Sequence, residues 1–371
     1  MHVPLFDLQA QYQSIQPEID GAISKILDKG VFIGGDPVRN FEEEFKAITG
    51  EGFVISCANG TDSMELILQA MEIGPGDEVI VPAHTWISTS EVVVNAGAIP
   101  IFVDVNATTF CLEAEEIKKK LTPQTKAVIV VHLYGYPAPM EAIINLSKCH
   151  HFKVIEDCAQ AHGSKLHSQY VGTYGDAASY SFYPTKNLGC YGDGGAVFTK
   201  NADMADKIRM IANYGQKERH THLIHGRNSR LDTLQAAVLS VKLNYLEKWI
   251  KRKVEHAAYY LEKLADVKEI SLPMLPTGSN HQHSWHLFVI RATHRQGLQE
   301  HLRGYGIVTA VHYPKAIPFQ PSYQRFRHQA SDFPVASKLQ DEVLSLPMYA
   351  ELTEPQLAHV VATICTFYKE L

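Results

Sequence analysis

Short apolar runs alternate along this chain with stretches in which apolar residues return every three or four positions. The runs lie at Phe53–Ser56, Glu78–Val81, Ile99–Asp104, Ala127–Val131, Lys153–Glu156, Ala178–Phe182 and Gly195–Thr199. Their length, their Val, Ile and Ala content and their polar or turn-forming borders predict buried strands. Between them, patterns such as Met64, Leu66, Ile67, Leu68 and Met71 predict helices. Seven strands with helices between them predict an α/β fold: a mostly parallel seven-stranded sheet covered by helices. Asp36-Pro37 offers an N-cap and an N1 proline for an early helix running through Phe45. Leu231 to Lys263 has few breakers and predicts one long helix. It would join a large domain, residues 1–245, to a smaller C-terminal α/β domain, residues 246–371, in which Trp285–Arg291 and Ile307–Tyr313 read as strands.

Composition narrows the class. The 371 residues are 45% hydrophobic and 20% charged, enough to bury a substantial core. There is no low-complexity tract, no internal repeat and no apolar window long enough to span a bilayer. Met1-His-Val-Pro-Leu-Phe-Asp lacks the basic flank and apolar centre of a signal peptide, so a cytoplasmic protein is expected. The six cysteines form no C-x-x-C pair, and neither disulfides nor a thiolate zinc site is indicated. A net charge of -6 speaks against a general nucleic-acid surface.

The candidate chemistry centres on Ser179-Tyr-Ser-Phe-Tyr-Pro-Thr-Lys186-Asn-Leu-Gly189, followed by Gly192-Asp-Gly-Gly195. It holds one lysine in a Gly- and Pro-bounded turn between two apolar runs. Partial burial there disfavours the ammonium form, and a neutral amine can attack a carbonyl. If the carbonyl is that of pyridoxal phosphate, the chain should also supply a carboxylate for the ring nitrogen and a phosphate cup. Asp157 closes the run Lys153–Glu156 and falls at the strand end where open α/β sheets place ligand chemistry; it could equally be a turn or helix-capping aspartate. Ser56-Cys-Ala-Asn59-Gly60-Thr61-Asp62 precedes a helix pattern and offers backbone N–H groups to a phosphate, although a plain N-cap would look the same.

These segments, with Val31–Glu42, Gly76–Pro82, Glu156–Gly163, Gly226–Asp232 and His312-Tyr-Pro314, make the chain resemble the DegT/DnrJ/EryC1/StrS family nearly end to end. These are pyridoxal-phosphate-dependent aminotransferases of nucleotide sugars with the aspartate aminotransferase (type I) fold. The resemblance implies that Lys186 forms the Schiff base and moves the substrate proton, that Asp157 pairs with the ring nitrogen, and that Gln160 sits by the ring's phenolic oxygen. Gly60, Thr61 and Ser181 would hold the phosphate, and Asn228 would reach it from the neighbouring subunit of a homodimer. Trp86 stands where the family stacks an aromatic ring on the cofactor; a core aromatic is the alternative. Glutamate would be the amino donor and a keto-sugar carried on a nucleotide the acceptor.

One departure bears on the substrate. Many relatives have histidine before Pro-Thr-Lys, whereas this chain has Tyr183, a hydrogen-bond donor able to meet a sugar hydroxyl or phosphate. Tyr183, Arg219, His312 and Tyr313 are the substrate-site candidates. Lys217, Arg219, Arg227 and Arg230 could form a basic patch beside Asn228. The stretch Gly226–Ala237 with Tyr183 resembles members acting on dTDP-linked 3-keto-6-deoxyhexoses more than those acting at C4, so the resemblance implies a 3-keto acceptor, with a 4-keto sugar as the alternative. A dehydratase of the same fold is disfavoured, since such relatives carry histidine in place of Lys186. A non-catalytic regulator would need a DNA-binding segment, and none is evident. His220, His222 and His225 lack a helical frame and a carboxylate partner, so no metal is expected.

Overall fold

A computed structural model describes residues 1–276 and 280–371. Its main sheet has seven strands: β1 (Phe53–Cys57), β2 (Glu78–Pro82), β3 (Ile99–Val103), β4 (Thr125–Val131), β5 (Lys153–Asp157), β6 (Ala177–Ser181) and β7 (Gly195–Thr199). The order is β1-β7-β6-β5-β4-β2-β3. Neighbours from β6 to β3 run parallel, and β7 alone is antiparallel to both of its neighbours. The runs read from the sequence match these strands to within two residues at either end.

Alternation along each strand feeds two faces, as the period of two requires. Ala127 and Ile129 of β4 pack with Leu66, Ile67 and Leu68 on one side, and Val128 and Val130 with Met140 and Ile143 on the other. Helix α1 (Asp36–Phe45) lays Phe41 and Phe45 against Tyr180 and Phe182. Asp36 is the first helical residue rather than the cap, which falls on Gly35, so its carboxylate sits in the first turn and pairs with Arg39. Helix α2 (Gly60–Ala70) buries most of its length between the sheet and its neighbours.

The long helix expected over Leu231–Lys263 is two helices, α3 (Thr233–Leu243) and α4 (Leu246–Lys263). The Asn244 side chain donates to Ser240 O, competing with the helical ladder at the break. A second apolar cluster gathers Tyr260, Trp285, Phe288, Leu298, Val360 and Val3. It is crossed by a small antiparallel sheet of β8 (Ile270–Ser271), β9 (Phe288–Ala292) and β10 (Val343–Leu346). Strand β9 starts three residues later than expected, because Trp285 has a left-handed φ of 49° and cannot continue a strand. Ile307–Tyr313 is not a strand. Its backbone divides its pairing between Val3 and Ser345, one bridge each, and neither ladder extends. The segment carrying Ala316, Ile317, Tyr323 and Phe333 turns back onto the core of the large sheet.

Candidate active site

One side of the large sheet collects ends of all seven strands, Val103 of β3 lying opposite Pro82. Pro82, Val131, Asp157 and Ser181 are carboxyl ends of parallel strands, and register places Ser181 opposite Gly195 and Gly195 opposite Cys57. The loops leaving this edge line a cavity of about 660 Å³: Asn59-Gly60-Thr61 after β1, Thr85-Trp86 after β2, Ala159-Gln160 after β5, Tyr183 to Lys186 after β6 and Asp193 before β7. A crevice at the carboxyl ends of strands is where open α/β sheets place their ligands.

Lys186 opens onto this cavity from a tight turn in which its N–H donates to Tyr183 O at 2.8 Å. Desolvation pushes its amine down to about 8 and outweighs the opposing pull of Asp157. A substantial neutral fraction therefore exists near physiological pH. Asp157 is buried; burial raises its pKa, while the Ala159 N–H, the Lys186 charge and the Thr89 hydroxyl pull the other way. Its Oδ1 accepts from Ala159 N at 3.1 Å and its Oδ2 from Thr89 Oγ1 at 3.2 Å, fixing the carboxylate. No helix follows Asp157, so it caps none, while its bond from Ala159 N, two residues on, is that of a turn aspartate, the other alternative.

Asn59 does cap α2, its Oδ1 accepting from Asp62 N at 2.8 Å. That leaves the N–H groups of Gly60 and Thr61 without partners among the described residues, at the positive end of the helix dipole. A Cβ on Gly60 would stand 2.6 Å from Ser181 Cβ, so only glycine brings this helix start against β6. Thr61 Oγ1 lies 2.8 Å from Ser88 Oγ. Together Gly60, Thr61, Ser181 and Ser88 make a cup of N–H and O–H donors that suits a phosphate.

Trp86 is 55% exposed, its ring tilted against Tyr313 at 5.6 Å, which rules out the core-aromatic alternative. Gln160 accepts from Tyr134 N at 2.8 Å and donates to Tyr313 Oη at 2.9 Å. His312 Nδ1 meets Ser345 Oγ at 2.8 Å, and burial pushes this imidazole down to about 4. Tyr183 is 53% exposed on the cavity wall. The sequence did not single out Phe6, Thr85, Ser88, Asp193, His286 or Leu287, which also line the cavity. Asp193 does sit in the Gly192–Gly195 turn quoted above, whereas Trp285-His-Leu reads simply as strand and gives His286 and Leu287 no signal.

Two candidates stand apart. Arg219 is exposed on the hairpin Gln216–Glu218/Thr221–His222, and Asn228 is exposed in a bridge with Asn213; neither lines the cavity of its own chain. The expected basic patch is partly spent, for Arg227 pairs with Glu65 and Arg230 lies over the Tyr214 ring at 5.7 Å. The histidine run follows the hairpin, with His222 Nδ1 at 2.8 Å from Tyr214 O. Among the described residues the group with metal-ligand spacing is instead His132, Glu156 and Cys158. Its atoms are committed: His132 Nδ1 accepts from Ala138 N at 3.0 Å, its Nε2 faces Glu156 at 3.0 Å, and Glu156 accepts three more N–H groups from Gly172, Tyr174 and Gly175.

The profile of the DegT/DnrJ/EryC1/StrS aminotransferase family matches residues 13–365. This chain is a member of that family. It is 40% identical over 362 residues to a dTDP-3-amino-3,4,6-trideoxy-alpha-D-glucose transaminase of Streptomyces venezuelae, covering 98% of this chain and 95% of the relative. It is 41% identical over 365 residues to a UDP-N-acetyl-3-dehydro-alpha-D-glucosamine 3-aminotransferase of Acidithiobacillus ferrooxidans, covering 98% and 97%. The crystal structure of S. venezuelae DesV with a ketimine intermediate superposes with a TM-score of 0.96 at 39% identity, covering 100% of this chain and 99% of that one. Membership in this family makes the chain a pyridoxal-phosphate-dependent aminotransferase of the type I fold. The residues fit that group: unpartnered N–H groups and hydroxyls for the phosphate, a glycine-only approach at Gly60, a weakened amine at Lys186 and a buried, oriented carboxyl at Asp157.

Proposed function

We propose that this enzyme moves the amino group of glutamate to a nucleotide-linked 3-keto-6-deoxyhexose, with dTDP as the nucleotide, yielding a 3-amino-3,6-dideoxyhexose. The observation that carries the reading is the Lys186 amine, held at about 8, opening onto the same cavity as the buried carboxyl of Asp157. Bound pyridoxal phosphate supplies an electron-withdrawing ring over which the charge of a broken C–H bond spreads. The chain does the positioning and the proton handling. Asp157, oriented by Ala159 and Thr89, holds a proton at the ring nitrogen. Gly60, Thr61 and Ser181 take the phosphate, and Trp86 covers one ring face. Gln160, itself held by Tyr134 N, faces the phenolic oxygen. Lys186, neutral in part at working pH, would take the proton from the substrate carbon and return it at the cofactor's C4' atom, on the far side of the shared nitrogen. A second copy of the chain supplies Asn228 to the phosphate and Arg219 to the nucleotide, consistent with the exposure of both in a single chain.

Cavity size supports a sugar-sized acceptor, since about 660 Å³ lies within the range of small-molecule sites. Tyr183, His312 and Tyr313 contribute hydroxyl and imidazole groups suited to sugar hydroxyls, the imidazole neutral because it is pushed down to about 4. The names of both relatives above put nitrogen at C3, which favours a 3-keto over a 4-keto acceptor. Incubation with glutamate and, separately, dTDP- and UDP-linked 3-keto and 4-keto hexoses, with products identified by mass spectrometry and NMR, tests the reading. Amination of the dTDP 3-keto sugar is expected. Amination of the 4-keto compound alone overturns the regiochemistry, and preference for the UDP sugar overturns the nucleotide.

A further inference from the structure

Two lysines are buried behind the Lys186 turn, and the chemistry above gives neither a task. Lys242 is 1% exposed and Lys253 is 7% exposed. An ammonium group taken out of water is costly unless its protons find acceptors, and here each finds one on the turn itself. Lys253, from α4, donates to Asn187 Oδ1 at 2.8 Å, and Asn187 Nδ2 passes the chain on to Ser284 O at 3.0 Å. Lys242, from α3, donates to Gly189 O at 2.8 Å while lying over the Tyr191 ring at 4.1 Å. Asn187 directly follows Lys186, and Gly189 closes the same turn. A Cβ at Gly189 would stand 2.4 Å from Pro184 O, so the turn cannot widen around a larger residue. Among the described residues neither lysine has a carboxylate within ion-pair distance, and Glu351 acts on both only from farther off. Burial accordingly pushes both amines down to about 8. Lys253 also shares a narrow crevice of about 30 Å³ with Lys186, Asp7, Gln11, Trp249 and Glu351.

We infer that Lys253 and Lys242 are positioning residues for the transamination: from two helices they grip Asn187 and Gly189, and so fix where the Lys186 amine stands in the cavity. The arrangement gives the Asn187-Leu188-Gly189 part of the motif a physical reason. A hydrocarbon at position 253 would leave Asn187 Oδ1 without a donor and let the side chain turn away from Ser284. The turn would then loosen on the side of the reacting amine, and a displacement of about 1 Å there is enough to slow proton transfer about 100-fold.

The inference rests on Lys186 being the reacting amine, and the test separates the two. In the holoenzyme, Lys253→Met is compared with the parent for the rate of the glutamate half-reaction, the KM for glutamate and the visible circular dichroism of the bound cofactor. A fall of about 100-fold in rate is expected, with KM little moved and the dichroism altered. Lys253→Arg, which keeps a donor, should recover most of both signals. Lys253→Leu, which also lacks a donor, carries the same readouts if the methionine variant does not fold. Loss of thermal stability with rate and dichroism unchanged overturns the positioning role. Should borohydride label a residue other than Lys186 in the parent enzyme, the underlying reading fails instead.

Discussion

Lys186 is a cation in surroundings that make its charge expensive, and the same surroundings make it useful. Desolvation brings its amine to about 8, and Asp157 opposes the shift without cancelling it. Asp157→Asn keeps the shape and removes the anion proposed to hold the ring proton. We expect a single-turnover rate on the order of 100-fold lower or worse, measured by rapid mixing with glutamate; an unaltered rate would contradict the assigned role. A second residue shows what burial costs. His162 has both ring nitrogens buried without partners, beside Phe45, Tyr180 and Phe182, and burial pushes it down to about 3. His162→Phe should be neutral or stabilising at pH 7 in chemical denaturation, with an advantage that grows as pH falls. A growing deficit instead would show that the imidazole is satisfied in solution. Lys186, Asp157 and Gly60 were legible from the sequence because each sits in a local pattern of strand, turn and helix start. Lys253 and His286 were not, because they reach their places across the fold and nothing in their own neighbourhood marks them; the Lys253–Asn187 contact spans 66 positions.

Strands and their ends carried most of the legible architecture, since buried runs of Val and Ile between turn residues admit few other readings. What failed were breaks decided by contacts rather than by composition. Asn244 ends a helix by bonding back to Ser240, and the Ile307–Tyr313 segment spends its backbone on two different partners. At this scale the close approach of α2 to β6 is the feature most open to test. A methyl group at Gly60 meets Ser181 Cβ at 2.6 Å. Overpacking of this kind costs about 1–3 kcal/mol, so Gly60→Ala should weaken pyridoxal phosphate binding about tenfold to a hundredfold in a titration of the apoenzyme. Unchanged affinity in a folded variant would remove α2 from the phosphate site. Glu156, next to Asp157, ties Gly172, Tyr174 and Gly175 to β5 through their N–H groups. Glu156→Gln turns an N–H toward at least one of those donors and should cost about 1–3 kcal/mol in urea denaturation.

Across the whole molecule, buried histidines set the response to acid. His84 and His312 are pushed down to about 4 and His162 and His283 to about 3, in each case chiefly by desolvation. Below pH 6.5 the unfolded chain takes up protons that these imidazoles refuse in the fold, so stability falls as pH drops through that window and levels off near 3. Asp157 and Glu351, raised by burial, act in the opposite sense but are fewer. A urea midpoint that declines between pH 7 and pH 5 is expected, and a flat profile would contradict the buried neutral state. The proposed reach of Asn228 and Arg219 into a neighbouring site needs a partner copy, and both are exposed in the single chain. Lys186→Ala and Asn228→Ala proteins, each inactive, should regain activity when mixed and allowed to exchange subunits, because one site of the hybrid is whole. Continued inactivity would place both residues in one chain's site.

All of this turns on one amine. Reducing the holoenzyme with borohydride and mapping the cofactor-bearing peptide reads it directly. The account predicts a single label, on Lys186, in the peptide that follows β6; a label on Lys253, Lys242 or any other lysine, or none at all, would contradict it.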